Sequence, residues 1–203
     1  MANRVIAITR EFGSGGRAIG LELSKRLGIP FYDKSILAQV AENQGLNTDF
    51  VNQVDRKGPT ITAPVFGRSM VSTFYQPTFS DQIFIDQSNI IKELASKGPC
   101  VIVGRCADYI LRDTDAVKIY VSASMKHKIE RKRATDDELK NASDEQIEKF
   151  IKDVDKRRSK YYEHFTGQKK GNATNYDLCI RSDEIGTEEA VNVIEAYIRG
   201  LNK

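Results

Sequence analysis

Residues 5–27 read VIAITREFGSGGRAIGLELSKRL, and this segment predicts how the chain begins to fold. Residues 5–9 form a short, β-branched apolar run, which is typical of a strand buried on both faces. A glycine-rich segment, residues 13–16, follows this run. From Ala18 the apolar residues recur at the spacing of an α-helix that ends near Gly28. The segment therefore predicts a strand, a glycine loop and a helix in succession.

The rest of the chain continues the alternation of strands and helices. Further candidate strands, separated by segments with helical spacing, lie at residues 31–33, 100–103, 117–121 and 178–180. Ser143 and Gln146 form a capping-box sequence before a charged helix, and residues 187–197 predict the last helix. This pattern predicts an α/β fold: an open, mostly parallel five-stranded sheet with helices on both faces. Ligands of such sheets bind beyond the carboxyl ends of the strands.

Composition limits the class of protein. The 203 residues suffice for one domain, residues 1–203, with a substantial core. No apolar run approaches the roughly 20 residues of a membrane-spanning helix, so we expect no membrane partner. The net charge of +3 is too small to predict a nucleic-acid partner. Three widely spaced cysteines and an N-terminus unlike a signal peptide favour a cytoplasmic location, and the oligomeric state is left open.

Two segments depart from the regular alternation. Residues 45–85 lose their periodicity and contain Pro59, Pro64 and Pro77, which predicts an insertion outside the core. Residues 126–160 carry a cluster of lysines and arginines on two charged helices joined by a polar gap. Charged helix faces are ordinarily solvated, but phosphoryl transfer requires cations around the moving group. We therefore predict that residues 126–160 form a lid.

The glycine loop is the first candidate binding site. The residues directly before the first helix are Gly13, Ser14, Gly15 and Gly16. Unpaired amide groups and the positive end of the helix converge there, which predicts a phosphate site. The P-loop pattern G-x-x-x-x-G-K-[ST] is not met: its lysine position holds Gly16 or Arg17, and its hydroxyl position holds Arg17 or Ala18. The alternative interpretation is a merely tight turn between strand and helix.

Arg105 is the second candidate, because it follows the buried run at residues 100–103. A guanidinium group grips phosphate through two parallel hydrogen bonds and keeps its charge at every accessible pH. The alternative is that Arg105 pairs with a carboxylate such as Asp33. Tyr161 and Tyr162 are lesser candidates for stacking on a base, since core packing is the commoner role of aromatic residues.

Five segments together resemble a known family. They are residues 8–17 (ITREFGSGGR), 31–33 (FYD), 101–105 (VIVGR), 155–158 (DKRR) and 176–178 (YDL). Their order and spacing resemble the cytidylate kinase family, and more closely its divergent cytidylate-kinase-like branch, in which the glycine loop carries Arg instead of Lys. The resemblance implies a P-loop nucleoside monophosphate kinase fold, with ATP and Mg²⁺ as cofactors, a helical NMP-binding insertion at 45–85 and an arginine-rich lid at 126–160.

The resemblance also implies roles by position. Residues 13–17 would cradle the ATP phosphates. Cations at the two ends of the lid would contact the phosphates as it closes, which gives the catalytic set Arg17, Arg131 and Arg158. The acceptor nucleotide would be bound by Arg105, Asp33 and Asp155.

The chain departs from the family pattern in two places. Its glycine loop lacks the hydroxyl residue, so the metal-anchoring residue is unknown, and Arg181 stands where cytidylate kinases usually carry Asp. The resemblance implies an ATP-dependent phosphotransferase acting on small-molecule nucleotides, which moves the γ-phosphoryl group to a nucleoside monophosphate, with CMP or dCMP favoured. The atypical loop leaves two alternatives: a non-catalytic nucleotide-binding regulatory protein, or a kinase of another small acceptor.

Overall fold

The strands form one parallel sheet. The computed structural model describes residues 4–43 and 79–201. Its strands are β1 (Ile6–Arg10), β2 (Phe31–Tyr32), β3 (Val101–Val103), β4 (Val117–Ser122) and β5 (Leu178–Arg181). They form a five-stranded sheet in the order β2-β3-β1-β4-β5. Each neighbouring pair is parallel, which confirms the predicted α/β sheet.

Helices follow the strands along the chain. They are α1 (Gly16–Leu27), α2 (Lys34–Asn43), α3 (Phe79–Ser96), α4 (Ala107–Ile110), α5 (Met125–Thr135), α6 (Asp144–Thr166) and α7 (Ser182–Leu201). Helix α7 begins earlier than the predicted residue 187, because Gly186, with φ of 77°, interrupts its first turns and hides the pattern. Over the residues that the structure describes, no helix is long and apolar enough to cross a membrane.

Hydrophobic clusters cover both faces of the sheet. Successive side chains of β1 alternate between them, as the pleat of a strand requires. Ile8 packs in one cluster with Leu23 of α1 and Ile194 of α7. Ala7 packs in the other with Ile91 of α3. Full burial of a large aliphatic side chain contributes about 1.5–3 kcal/mol, so these two clusters hold the helices against the central strand.

The predicted lid, residues 126–160, comprises most of α5 and α6, with the short 3₁₀ helix Asp137–Leu139 between them. Ser143 caps α6 in the predicted capping box with Gln146. A small hydrophobic cluster of its own, containing Ile129, Ile147 and Ile151, joins the two helices. The role of this segment as a moving lid stays a prediction.

The predicted insertion is described only at its end. Residues 45–78 lie outside the described residues. Helix α3 begins at Phe79, before the predicted end of the insertion at residue 85, and Ile83 is already buried in the core. A helix that begins at Phe79 is compatible with a helical insertion, so the predicted boundary at residue 85 stays a prediction.

Candidate active site

A pocket of about 400 Å³ opens where β1 and β3 end. This is the edge at which parallel sheets bind their ligands. We call it the cationic pocket, because its charged lining residues are Arg10, Arg17, Lys34, Arg105, Arg158 and Lys170, against the single carboxylate of Asp33. Three predicted arginines and one predicted aspartate therefore share one cavity.

The glycine loop lies at the start of α1. Gly15 is the N-cap of this helix, with φ of 81°, and no side chain caps the helix within the described residues. The first amide groups of a helix have no partner inside it, so the loop presents donors to an anion. The Ser182 hydroxyl, at the start of α7, donates a hydrogen bond to the Ser14 carbonyl. This bond connects the loop to α7. The arrangement suits phosphate, and that role stays a prediction.

The lid helices contact this loop directly. A methyl group on Gly15 would lie 2.7 Å from Arg131 Nη1, so the Arg131 guanidinium lies against the loop. The Phe12 amide donates to Asp155 Oδ1 at 2.9 Å, and the Arg158 guanidinium lies 5.1 Å from the centre of the Phe12 ring. Sequence reasoning gave Phe12 no role, although it lies inside the family-like segment.

A buried ion pair fastens the loop to α5. Lys128 is 5% exposed, and its Nζ lies 2.6 Å from Glu11 Oε2 and 3.8 Å from Asp155 Oδ2. Asp155, predicted to bind substrate, therefore lies against the glycine loop. Lys128 and Glu11 were missed because a lysine in a charged helix normally faces solvent.

Arg17 pairs with Asp33, a residue predicted to bind the acceptor. Its Nε donates to Asp33 Oδ2 at 2.7 Å. Asp33 Oδ1 accepts the amides of Ser35 and Ile36 and so caps α2. Burial would raise the pKa of Asp33, but hydrogen bonds from Ser35, Arg17 and Ile36 outweigh it and hold the pKa below its usual value. The alternative pairing of Arg105 with Asp33 is not seen, because Arg105 Nη1 and Nη2 have no hydrogen-bond partner among the described residues.

Arg105 lies in a strained turn after β3. Arg105 and Cys106, with φ of 58° and 57°, are the non-glycine residues with positive φ in the described part of the chain. The left-handed conformation costs roughly 1–2 kcal/mol per residue and often marks a functional site. Gln87 Nε2 donates to the Arg105 carbonyl at 3.0 Å and holds the turn in place.

The Arg105 side chain is the clearest sign of a ligand. Its Nη1 and Nη2 atoms are buried, and neither has a hydrogen-bond partner among residues 4–43 and 79–201. Buried polar groups are nearly always hydrogen-bonded, and an unpaired buried cation is especially costly. Because Arg105 lines the cationic pocket, an anion bound there would satisfy both nitrogens.

Asp108 forms a buried polar network below the pocket. It is 2% exposed, and its carboxyl group accepts Thr9 Oγ1 at 2.9 Å and the Tyr162 hydroxyl at 2.7 Å. Thr9 and Tyr162 also line the pocket. Burial raises the pKa of Asp108, although both hydrogen bonds act in the opposite direction. Tyr162 therefore donates a hydrogen bond within this network. No signal in the sequence indicated a role for Asp108.

We expect the stability of the wild type relative to an Asp108→Asn variant to fall as pH rises. The pKa of Asp108 is raised above the ordinary 3.8, so the folded protein holds this proton more tightly than the unfolded chain does. The contribution of the Asp108 proton to the free energy of unfolding is complete below about pH 4 and is lost as pH rises through the pKa of the folded state. The total loss is about 1.4 kcal/mol for each unit by which folding raises the pKa. Urea unfolding of both proteins between about pH 4 and 7 measures this difference; a constant difference would contradict the assignment.

Comparison with known proteins agrees with this geometry. The model of the cytidylate kinase-like family matches residues 5–184. The chain belongs to this family. The matched segment includes every residue of the site described above, from the glycine loop to Ser182. A search of curated proteins found no match to the chain.

Solved structures extend the comparison. An uncharacterized protein from Eubacterium ventriosum is 27% identical, with a TM-score of 0.72 over 97% of this chain and 98% of that one. Shikimate kinase from Bacteroides thetaiotaomicron is 14% identical, with a TM-score of 0.59 over 98% of this chain and 99% of that one. A gluconokinase from Sinorhizobium meliloti is 13% identical, with a TM-score of 0.52 over 99% and 97%. These likenesses confirm a P-loop kinase fold.

Proposed function

We propose that the protein is an ATP-dependent phosphotransferase that moves the γ-phosphoryl group to a nucleoside monophosphate, with CMP or dCMP favoured. The observation that carries the proposal is Arg105: its buried Nη1 and Nη2 atoms have no hydrogen-bond partner in the described part of the chain, and the residue lines the cationic pocket. Membership of the cytidylate kinase-like family supports the same reaction class.

The charge of the pocket favours a phosphorylated acceptor. Six cationic side chains and one carboxylate line it. A phosphomonoester carries about −1.5 to −2 charges at neutral pH, whereas a small hydroxy acid carries one carboxylate. The guanidinium fork of Arg105 also matches two oxygens of a phosphate group. The fork pairs equally well with a carboxylate, so it is the excess of cations in the pocket that favours a nucleoside monophosphate over a hydroxy acid.

The two sides of the site take different ligands in this proposal. The amides of the glycine loop and the Arg131 guanidinium hold the ATP phosphates, and Arg105 holds the acceptor phosphate. Arg158 lines the cationic pocket and also lies beside Phe12, directly before the loop, so the proposal assigns it a position between donor and acceptor. Holding both substrates in line and neutralising charge is the main task of a protein in phosphoryl transfer.

Mg²⁺ fits this site chiefly as an ion carried by ATP. Among the described residues there is no group of three or more His, Cys, Asp or Glu side chains that could hold a metal. Glu11 and Asp155, next to the loop, already pair with Lys128. Mg²⁺ retains several waters in most sites and would supply charge neutralisation on the phosphates when bound.

An acceptor panel tests the proposal. ADP release is measured with CMP, dCMP, AMP, UMP, shikimate and gluconate, each against ATP alone. We expect CMP or dCMP to raise the rate at least about tenfold over acceptor-free hydrolysis, because lid closure on both substrates completes the site. A response to a hydroxy acid alone would indicate a kinase of another small acceptor.

A regulatory nucleotide-binding protein is the second candidate. Arg17 supplies the observation in its favour. This residue stands at the lysine position in one register of the loop, but its Nε donates to Asp33 Oδ2 at 2.7 Å. This candidate predicts that ATP binds but that no acceptor raises ADP release. Calorimetric titration with ATP, combined with the same panel, distinguishes the two.

A further inference from the structure

The glycine loop lacks the lysine with which a P-loop reaches the β- and γ-phosphates. Gly16 opens α1 and has no side chain. The Arg17 side chain is 63% exposed and is bound to Asp33. We therefore expect a cationic side chain from another part of the chain to contact the β- and γ-phosphates.

Lys170 lies beside the loop, in the connection after α6. Its side chain is 7% exposed and lines the cationic pocket. Its Nζ lies 3.4 Å from Asp155 Oδ1, and the same oxygen accepts the Phe12 amide at 2.9 Å. A single carboxylate oxygen thus joins the Lys170 ammonium group to the backbone directly before the glycine loop.

The surroundings of this ammonium group favour a further anion. Burial lowers the pKa of Lys170, Asp155 acts in the opposite direction, and Arg158 and Arg10 lower the pKa further. Asp155 does not serve Lys170 alone, because its other oxygen lies 3.8 Å from Lys128 Nζ. A buried charge needs close and complete compensation, and a shared carboxylate supplies only part of it.

We propose that Lys170 binds the phosphate chain of the nucleotide in place of the lysine that the glycine loop lacks. The ligand class is a polyphosphate chain, as in a nucleoside triphosphate, and the inference rests on the proposed function as far as ATP is concerned. Lys170 reaches the site from the loop after α6, whereas a P-loop lysine reaches it from the start of α1. The site would thus retain a lysine ammonium group, supplied by a different position of the sequence than in a standard P-loop.

Titration calorimetry with inorganic tripolyphosphate and with ATP tests the proposal on Lys170→Met and Lys170→Gln. Lys169→Met is the matched control, because Lys169 is the exposed neighbour. We expect both Lys170 variants to bind both ligands about tenfold more weakly, as loss of a charge-assisted contact implies, and the Lys169 variant to bind as the wild type does. Unchanged affinity in the Lys170 variants would overturn the inference.

Thermal unfolding separates phosphate binding from a structural role. If Lys170 binds phosphate, tripolyphosphate raises the midpoint of the variants less than that of the wild type, even where loss of the Asp155 contact lowers the ligand-free midpoint. A lower midpoint with an undiminished rise makes Lys170 a structural partner of Asp155 and overturns the inference. Failure of the proposed function is seen elsewhere, as the absence of acceptor-dependent ADP release in the wild type, while the Lys170 effect on tripolyphosphate remains.

Discussion

Replacing Arg105 by alanine is expected to lower kcat/KM for the acceptor about 100-fold or more, because each charge-assisted hydrogen bond contributes roughly 1.5–3 kcal/mol and two guanidinium nitrogens are available. Both nitrogens are buried and have no partner within the described residues, so the acceptor phosphate would be their partner. ATP affinity is expected to stay nearly unchanged. Arg105→Lys is expected to recover little, since an ammonium group cannot reproduce the fork.

Steady-state kinetics with the acceptor varied, together with ATP titration, measures this split. Arg112→Ala is the control, because Arg112 is 47% exposed and stacks on Tyr109. The ligand-free Arg105→Ala protein is expected to melt no lower than the wild type, because the change removes an uncompensated buried cation. Equal weakening of ATP and acceptor binding would show that Arg105 does not distinguish the two sides of the site.

The sheet was predictable because its strands are continuous apolar runs bounded by turn residues. The run at residues 100–103 became β3, Val101–Val103, and its buried position follows from composition alone. The position of Arg105 at the edge of the pocket followed from the same rule, since the residues after a parallel strand lie at its ligand-binding edge. Local sequence was sufficient wherever a site residue directly follows a strand.

The buried charges were not predictable in this way. Lys128, Lys170 and Asp108 are buried by contacts with residues distant in sequence, and nothing in their local segments distinguishes them from solvated residues. Asp155 shows the same limit: its motif was identified, but its partner, the Phe12 amide, lies 143 residues away. Which carboxylate binds which cation depends on the packing of the lid helices against the glycine loop.

Gly15→Ala is expected to weaken ATP binding about 30-fold or more, because it affects two features of the loop at once. Gly15 has φ of 81°, which costs a residue with a side chain roughly 1–2 kcal/mol. The added methyl group would also lie 2.7 Å from Arg131 Nη1, so the guanidinium has to shift from its position against the loop. Titration calorimetry with ATP measures the loss, and thermal unfolding measures the cost in stability.

Gly28→Ala is the matched control, because it changes the same helix at its other end. Gly28 has φ of 64°, so alanine meets a similar backbone strain, but a methyl group there has no atom within 4 Å in the described structure. Both variants are therefore expected to lose similar stability, about 1–2 kcal/mol, whereas only Gly15→Ala loses ATP affinity. Equal ATP affinity in the two variants would show that the loop is a turn between β1 and α1 and does not hold phosphate.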